Sequence, residues 1–299
     1  MRTAYVLTAL VLGTATAGAQ DTVTLKWDLK EGTTFYTKGV TDMDMEMAFA
    51  GKSIGMKMKI TAVQKLKVLE AKPGATKVEM TMLGMEMTAE ADGLPGGIPG
   101  LADIGNRVKG ATITATLDDK LAVTKLEGYD KFLDKIADGD EAVKKQMKAQ
   151  FSEATVGQMF SQVFAFAPDK AVKVGDTWTR TDKVPAGGLE ATAKQKYKLD
   201  SVSGGVAKIA LTGDLVFKVG DGIPGLPDGV KVEKFDMKAE KFDGTLLFDT
   251  KAGRLTENKL DMTLNGAITI AAGGQKVEMT MKIKAKQTAT VTDKNPMKD

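Results

Sequence analysis

Met43, Met45, Met47, Met56 and Met58 fall at alternate positions within TDMDMEMAFAGKSIGMKMKI, residues 41–60. Thioethers are soft ligands that suit Cu(I). Alternate residues of a strand share a face. Directly opposed Cβ atoms on paired strands lie about 5 Å apart, so a three-sulfur trigonal site is within reach of this spacing. The competing chemistry is apolar: methionine is flexible and fits irregular surfaces, whether neighbouring side chains or a guest. The same spacing recurs at Met80/Met82, Met85/Met87 and Met279/Met281. In the C-terminal half, Ile, Leu and Val take equivalent positions. A packed or ligand-lining face tolerates that exchange and a metal site does not. The residues therefore favour lining or packing methionines, with copper as the alternative.

Other chemistries are poorly equipped. The chain has no histidine and no cysteine. That removes Ser-His-Asp and Cys-His arrangements, imidazole base catalysis and nearly every zinc site. Ser53, Ser152, Ser161, Ser201 and Ser203 are the only serines, and none stands in a G-x-S-x-G context. No Walker loop or dinucleotide fingerprint occurs. The glycine-rich GLPGGIPG and GIPGLPDG segments read as stiff turns, since proline cannot donate an N–H to a phosphate. Asp118-Asp119 and Asp138-Gly139-Asp140 read as turn and cap chemistry, and no complete EF-hand loop is present. Lys and Arg number 42 against 39 Asp and Glu, and only Arg2, Arg107, Arg180 and Arg254 are arginines. Nucleic-acid readers prefer arginine's fork and stacking aromatics, so no nucleic-acid partner is expected. The expectation is a non-enzymatic protein with no catalytic residue, metal or cofactor.

Strands must position these methionines. Met43, Met45, Met47 and Phe49 alternate with Asp42, Asp44 and Glu46; Met56, Met58 and Ile60 alternate with Lys57 and Lys59. Gly51-Lys52 predicts a two-residue type II′ hairpin with glycine first. That turn sets Met47 opposite Met56, Met45 opposite Met58, Glu46 opposite Lys57 and Asp44 opposite Lys59. Burial of five thioethers outweighs exposed ion pairs, so the methionines should be buried beneath or beside helices and the charges should face water. Residues 276–292 alternate similarly. A turn at Gly273-Gly274 places Ile270 opposite Val277, Ile268 opposite Met279 and Asp261 opposite Lys286. A bulge around Leu83-Gly84 keeps Met85 and Met87 on the face of Met80 and Met82.

The chain opens Met1-Arg2, runs apolar over residues 4–12 and reaches Ala17-Gly18-Ala19. This predicts a signal peptide cleaved after Ala19, with the mature protein exported, soluble and periplasmic or extracellular. No later segment approaches the roughly 18 apolar residues of a transmembrane helix. With no disulfide available, an exported chain must hold itself by its core. Four pairs of segments match in the same order: 30–38 with 173–181, 64–84 with 195–215, 91–101 with 220–229, and 111–128 with 244–261. The division is residues 20–127 as a first β half, 128–170 as a helical insert and 171–299 as a second β half, within one structural domain. The insert reads as helices carrying Phe132, Leu133 and Ile136, then Val143 and Met147 with Asp140 as N-cap, then Phe160 and Phe164 with Thr155 and Gln158 as a capping box.

The signal peptide together with EGTTFYTK, VKVGDTWTR, KYKLDSVSGGVAKIAL and GTLLFDTKAGRL resembles an uncharacterised family of secreted bacterial proteins, a domain of unknown function. The resemblance covers most of the mature chain and carries no activity with it. The expected fold is mainly β with a helical insert: a curved antiparallel sheet or half-barrel with helices against its apolar face. That fold is loosely similar to periplasmic lipoprotein carriers and related lipid-binding half-barrels. The expected function is binding of an apolar, lipid-like small molecule. Its candidate residues are Met43, Met45, Met47, Met56, Met58, Met80, Met82, Met279, Met281, Phe160 and Phe164. The alternatives are a Cu(I)-binding protein, and a structural or interaction protein without a ligand that contacts an envelope protein partner.

Overall fold

The computed structural model describes residues 22–49, 51–92, 101–186, 189–219, 230–272 and 275–297. The expected signal peptide, the GLPGGIPG and GIPGLPDG segments and the expected Gly273-Gly274 turn lie outside them. Three long strands come first: β1 (Thr34–Phe49), β2 (Lys52–Lys72) and β3 (Ala75–Ala91). Helix α1 (Leu101–Val108), strands β4 (Thr112–Leu117) and β5 (Val123–Glu127), and helices α2 (Tyr129–Ala137), α3 (Glu141–Gln150) and α4 (Glu153–Phe164) follow. Strands β6 (Thr177–Ala186), β7 (Leu189–Ser203), β8 (Val206–Val219), β9 (Val230–Asp249), β10 (Arg254–Ala272) and β11 (Gln275–Thr292) complete the chain. All eleven strands form one antiparallel sheet in the order β5-β4-β3-β2-β1-β11-β10-β9-β8-β7-β6. Consecutive strands are sheet neighbours except β5 and β6, which lie at opposite edges, and β11 returns to pair with β1. The meander β1–β5 thus runs outward from that join to one edge, and the meander β6–β11 runs inward to it from the other edge.

Alternation makes one face of this sheet apolar and the other polar, the antiparallel signature. The sheet curls around its apolar face. A single core cluster draws on every strand, from Phe35 of β1 through Leu66 and Val78 to Leu199, Ile209 and Phe248. At its centre Trp27 meets the rings of Phe35, Phe164, Phe166 and Phe248 at 5.1–6.4 Å and donates from Nε1 to the Phe164 carbonyl at 3.1 Å. This plug fills one end of the curved sheet, where β1, β6, β8 and β10 begin.

The sheet does not close on itself; helix α4 lies between its two edges. Ser161 Oγ accepts from the Val123 N–H of β5 at 2.9 Å, and the Gln158 and Gln162 side-chain amides donate to the Lys183 carbonyl of β6. Phe160 and Phe164 point from the same helix into the plug. Among the described residues no helix is long and apolar enough to cross a membrane.

Several local expectations hold. β10 and β11 pair in the expected register, with Ile270↔Val277, Ile268↔Met279 and Asp261↔Lys286. The bulge falls at Leu83, between the pairs Val63↔Gly84 and Gln64↔Met82. Asp140 caps α3, accepting from the Ala142 and Val143 amides. Asp118 closes its own turn by accepting from Lys120 and Ala122.

Others are corrected. The β1–β2 register is shifted by two residues, giving Met45↔Met56, Met43↔Met58, Asp44↔Lys57 and Asp42↔Lys59. The last pair before the turn is Phe49↔Lys52. Gly51, just before Lys52, has φ +76°, a left-handed conformation that glycine adopts without cost. A two-residue shift keeps every side chain on its face and leaves Asp42 and Asp44 opposite lysines, while Glu46 faces Gly55 in place of Lys57. The N-cap of α4 is Ser152, which accepts from the Thr155 N–H, and not Thr155. Helix α1 falls inside what reads as the first β half.

Candidate functional site

Beyond the plug, the apolar face continues as a ladder of rungs across β2, β1, β11, β10 and β9. One rung runs Met58, Met43, Ala285, Met262, Phe242. The next runs Met56, Met45, Ile283, Leu264, Ala239, and the next Ile54, Met47, Met281, Gly266, Met237. The last runs Phe49, Met279, Ile268, Phe235, and Phe235 meets the Phe217 ring of β8 at 5.3 Å. On the other flank Ile60 pairs with Met87 and Ala62 with Met85. Most of the 17 methionines of the chain therefore converge on one surface.

Met43, Met45, Met47, Met56, Met58, Met279 and Met281 are half-buried, and Phe49 and Ile54 at the tip are each 47% exposed. The expectation that the five methionines of residues 41–60 are buried beneath helices is thus corrected. The helices pack on β3, β4, β5 and β6 at the plug and the seam, leaving the rungs of β1 and β2 uncovered. Asp42, Asp44, Glu46, Lys57 and Lys59 are exposed on the opposite face, as expected. There β1 forms an anionic stripe between two cationic strands: Asp42 sits between Lys59 and Lys286, and Asp44 between Lys57 and Lys284.

The remaining sequence candidates are placed elsewhere. Met80 packs against the plug. Met82 is buried in a satellite cluster with Val108 and Ala111. Phe160 and Phe164 are 5% and 2% exposed within the plug itself. These four are brought together with the core and not with the open rungs.

One constellation escaped sequence reasoning. Inward positions of the described strands carry no charge except Lys52 beside the hairpin turn and two residues of β6, Arg180 and Asp182. Cross-strand pairing of Arg180 with Gln195, Asp182 with the buried Ala193 and Trp178 with the buried Tyr197 fixes their inward face. Arg180 Nε and Nη2 donate to the two Asp182 carboxylate oxygens at 3.1 and 3.0 Å. Asp182 beside it raises the Arg180 pKa further. Tyr197 OH donates to Gln195 Oε1 at 2.7 Å, and its ring stacks on Trp178 at 5.6 Å. Burial pushes the Tyr197 pKa up to about 12, with the Asp182 charge adding to it. The signal was available: in TWTRTDKV, residues 177–184, Trp, Arg, Asp and Val alternate with Thr, Thr, Thr and Lys.

Two surface hollows, of about 420 Å³ and 380 Å³, lie elsewhere. The first is bounded by Thr112, Thr114, Glu127, Lys131 and Lys135, the second by Asp243, Lys259, Asp261 and Lys286. Both are bounded mainly by threonine and charged residues, whose apolar stems and backbone supply most of the lining. Among the described residues no three acidic side chains converge as metal ligands.

These features define a curved antiparallel half-barrel, plugged at one end and lined with exposed apolar side chains at the other. The chain belongs to the family of unknown function DUF6263, whose model matches residues 64–255. Comparison with curated proteins finds no match. Among solved structures, one described as showing lipid-protein interactions in lipovitellin aligns with a TM-score of 0.51 at 7% identity, over 89% of this chain and 25% of that one. The chain thus spans a quarter of the lipovitellin chain, and the likeness is one of fold. An outer membrane channel from Pseudomonas putida F1 aligns at a TM-score of 0.26 and 6% identity, covering 89% of this chain and 98% of that one. DynF from Micromonospora chersina aligns at 0.21 and 12% identity, covering 91% and 85%.

Proposed function

We propose that this is a non-enzymatic binding protein whose uncovered rungs take up an apolar, lipid-like ligand. The observation that carries this reading is the ladder from β2 to β9. Its side chains on β1 and β2, with Met279, Met281 and Ile283 of β11, are half-buried or exposed, while Ala285, Leu264, Ile268, Met237 and Phe242 form its buried floor; nearly all are apolar, and it continues directly from a packed plug. A contiguous exposed apolar surface of this kind marks an interaction or ligand site, and thioethers adapt to an irregular guest. The fold shared with lipovitellin, whose structure is described in terms of lipid, supports the same class of ligand. The N-terminal residues 1–19 support export, where such a protein would meet lipid. Native mass spectrometry of the protein purified from its own envelope tests the reading. A bound mass released by organic solvent is expected. A clean apo mass, with no uptake of a fluorescent fatty acid by the purified protein, would sink it.

The directly paired thioethers Met43/Met58 and Met45/Met56 favour a second reading, a Cu(I) site. A chromophoric chelator competing for Cu(I) tests it: stoichiometric binding that survives Met45→Leu/Met56→Leu, or no binding, rules the pairs out.

A further inference from the structure

An ion pair on a wall whose only other inward charge, among the described strands, is Lys52 at the hairpin tip needs a reason. Removing two charges from water costs more than their attraction commonly returns, and an apolar pair of similar size serves stability as well or better. Arg180 and Asp182 are nonetheless set side by side on the inner face of β6, 36% and 19% exposed at their side chains. The pair is incomplete as a hydrogen-bonding unit. Arg180 has five N–H donors and directs two groups, Nε and Nη2, at Asp182; its Nη1 donates to no described residue. Asp182 likewise keeps acceptor capacity. Gln195 lies directly across from Arg180.

We propose that Arg180 and Asp182, with Gln195 beside them, hold the zwitterionic head group of an amphiphile whose acyl chain lies along the methionine rungs. The proposal rests on the apolar-ligand reading above and specifies its ligand class. The charge pattern selects the head. A bare carboxylate would meet Asp182 as well as Arg180, a bare amine the reverse, and an uncharged head would leave the free guanidinium donors unmet. A phosphate joined to an ammonium offers an acceptor to Arg180, whose fork suits phosphate, and a donor to Asp182. Both contacts are charge-assisted and partly shielded from water. The distance is compatible: β6 and β10 are four strand spacings apart in the sheet, about 19 Å along the wall and less across its hollow.

Titration of the purified protein with monomeric palmitoyl lysophosphatidylethanolamine, palmitate and palmitoylglycerol tests this. The zwitterion is expected to bind about tenfold tighter than either of the others. Arg180→Gln and Asp182→Asn should each abolish that preference and leave palmitoylglycerol binding unchanged. The exchanged pair Arg180→Asp/Asp182→Arg, which keeps both charges, should retain it. Palmitate binding as tightly as the zwitterion, a preference that survives both single substitutions, or its loss in the exchanged pair overturns the proposal. Equal binding of all three probes overturns the head-group site and leaves the apolar face standing. Failure of palmitoylglycerol and the other probes alike to bind overturns the apolar face, and the head-group site with it.

Discussion

Met45 and Glu46 are chain neighbours with opposite fates, and comparing them tests the face assignment. Met45 lies between Met56 and Ile283 on the apolar face; Glu46 lies beside Lys282 on the polar one. Met45→Lys places a charge among thioethers and should cost about 1–3 kcal/mol. Glu46→Lys loses one exposed pair and adds a repulsion, about half a kcal/mol. Urea melts of the two variants should rank in that order, and the reverse ranking would make the charged side the interior. Tyr197 supplies a pH test at the same scale. Burial raises its pKa from 10.0 to about 12, so the folded protein holds the phenol proton more tightly than the unfolded chain. Its contribution is intact below pH 10 and is lost as pH climbs from about 10 to 12, about 3 kcal/mol in all. The difference between wild type and Tyr197→Phe isolates this from the exposed lysines that titrate nearby. Equal alkaline slopes in the two proteins would show that the phenol is not buried. At this scale the sequence is readable wherever alternation alone decides, as it does for Met43 to Met47 and, unnoticed, for Trp178 to Val184.

At the scale of elements, legibility follows the sequence distance of the forces involved. The β10–β11 register can be read because both strands and their turn lie within residues 254–292. The bulge at Leu83 shows as a break in parity. The β1–β2 register is not settled by faces, because a shift of two keeps every side chain on its face and changes only individual partners, Glu46 exchanging Lys57 for Gly55. Helix α1 is hard to see because its anchor is remote. Gly105 lies so close to the Met85 carbonyl of β3 that a Cβ has no room there, and a glycine within eight residues weakens any helical pattern. The role of α4 is equally hidden: its bonds reach residue 123 on one edge and residue 183 on the other. That role predicts an asymmetry. Ser161→Ala removes the acceptor for the partly buried Val123 N–H and should cost about 1–2 kcal/mol, with faster hydrogen exchange at Val123. Met159→Ser, on the solvent side of the same helix at 47% exposure, should cost under about 0.5 kcal/mol. Similar costs would mean that α4 rests on the sheet without joining its edges.

The whole molecule divides along its strands, not between them. Each long strand has one end in the plug and the other in the open ladder: β1 runs from fully buried Phe35 to exposed Phe49, and β9 from half-buried Phe235 to fully buried Phe248. Local stability follows buried apolar contact, so amide exchange should be slow at the plug end of every strand and faster at the ladder end. A ligand that binds only the folded state adds stability in proportion to ln(1 + [L]/Kd), about 2.7 kcal/mol at a hundredfold excess over Kd. Where that stabilisation appears is the sharper observation. A guest on the rungs covers β2, β1, β11 and β10 at their open ends and meets the core only at the first rung, where Met262 and Phe242 join it; the centre around Trp27 is already filled. Palmitoylglycerol should therefore slow exchange at residues 43–49, 54–60, 262–270 and 277–285, while residues 66–68, 197–199 and 246–248 keep their apo rates except where whole-chain unfolding limits them. Uniform slowing everywhere would mean that exchange proceeds only through global unfolding. Slowing confined to the plug would place the guest there and refute the ladder as the binding surface.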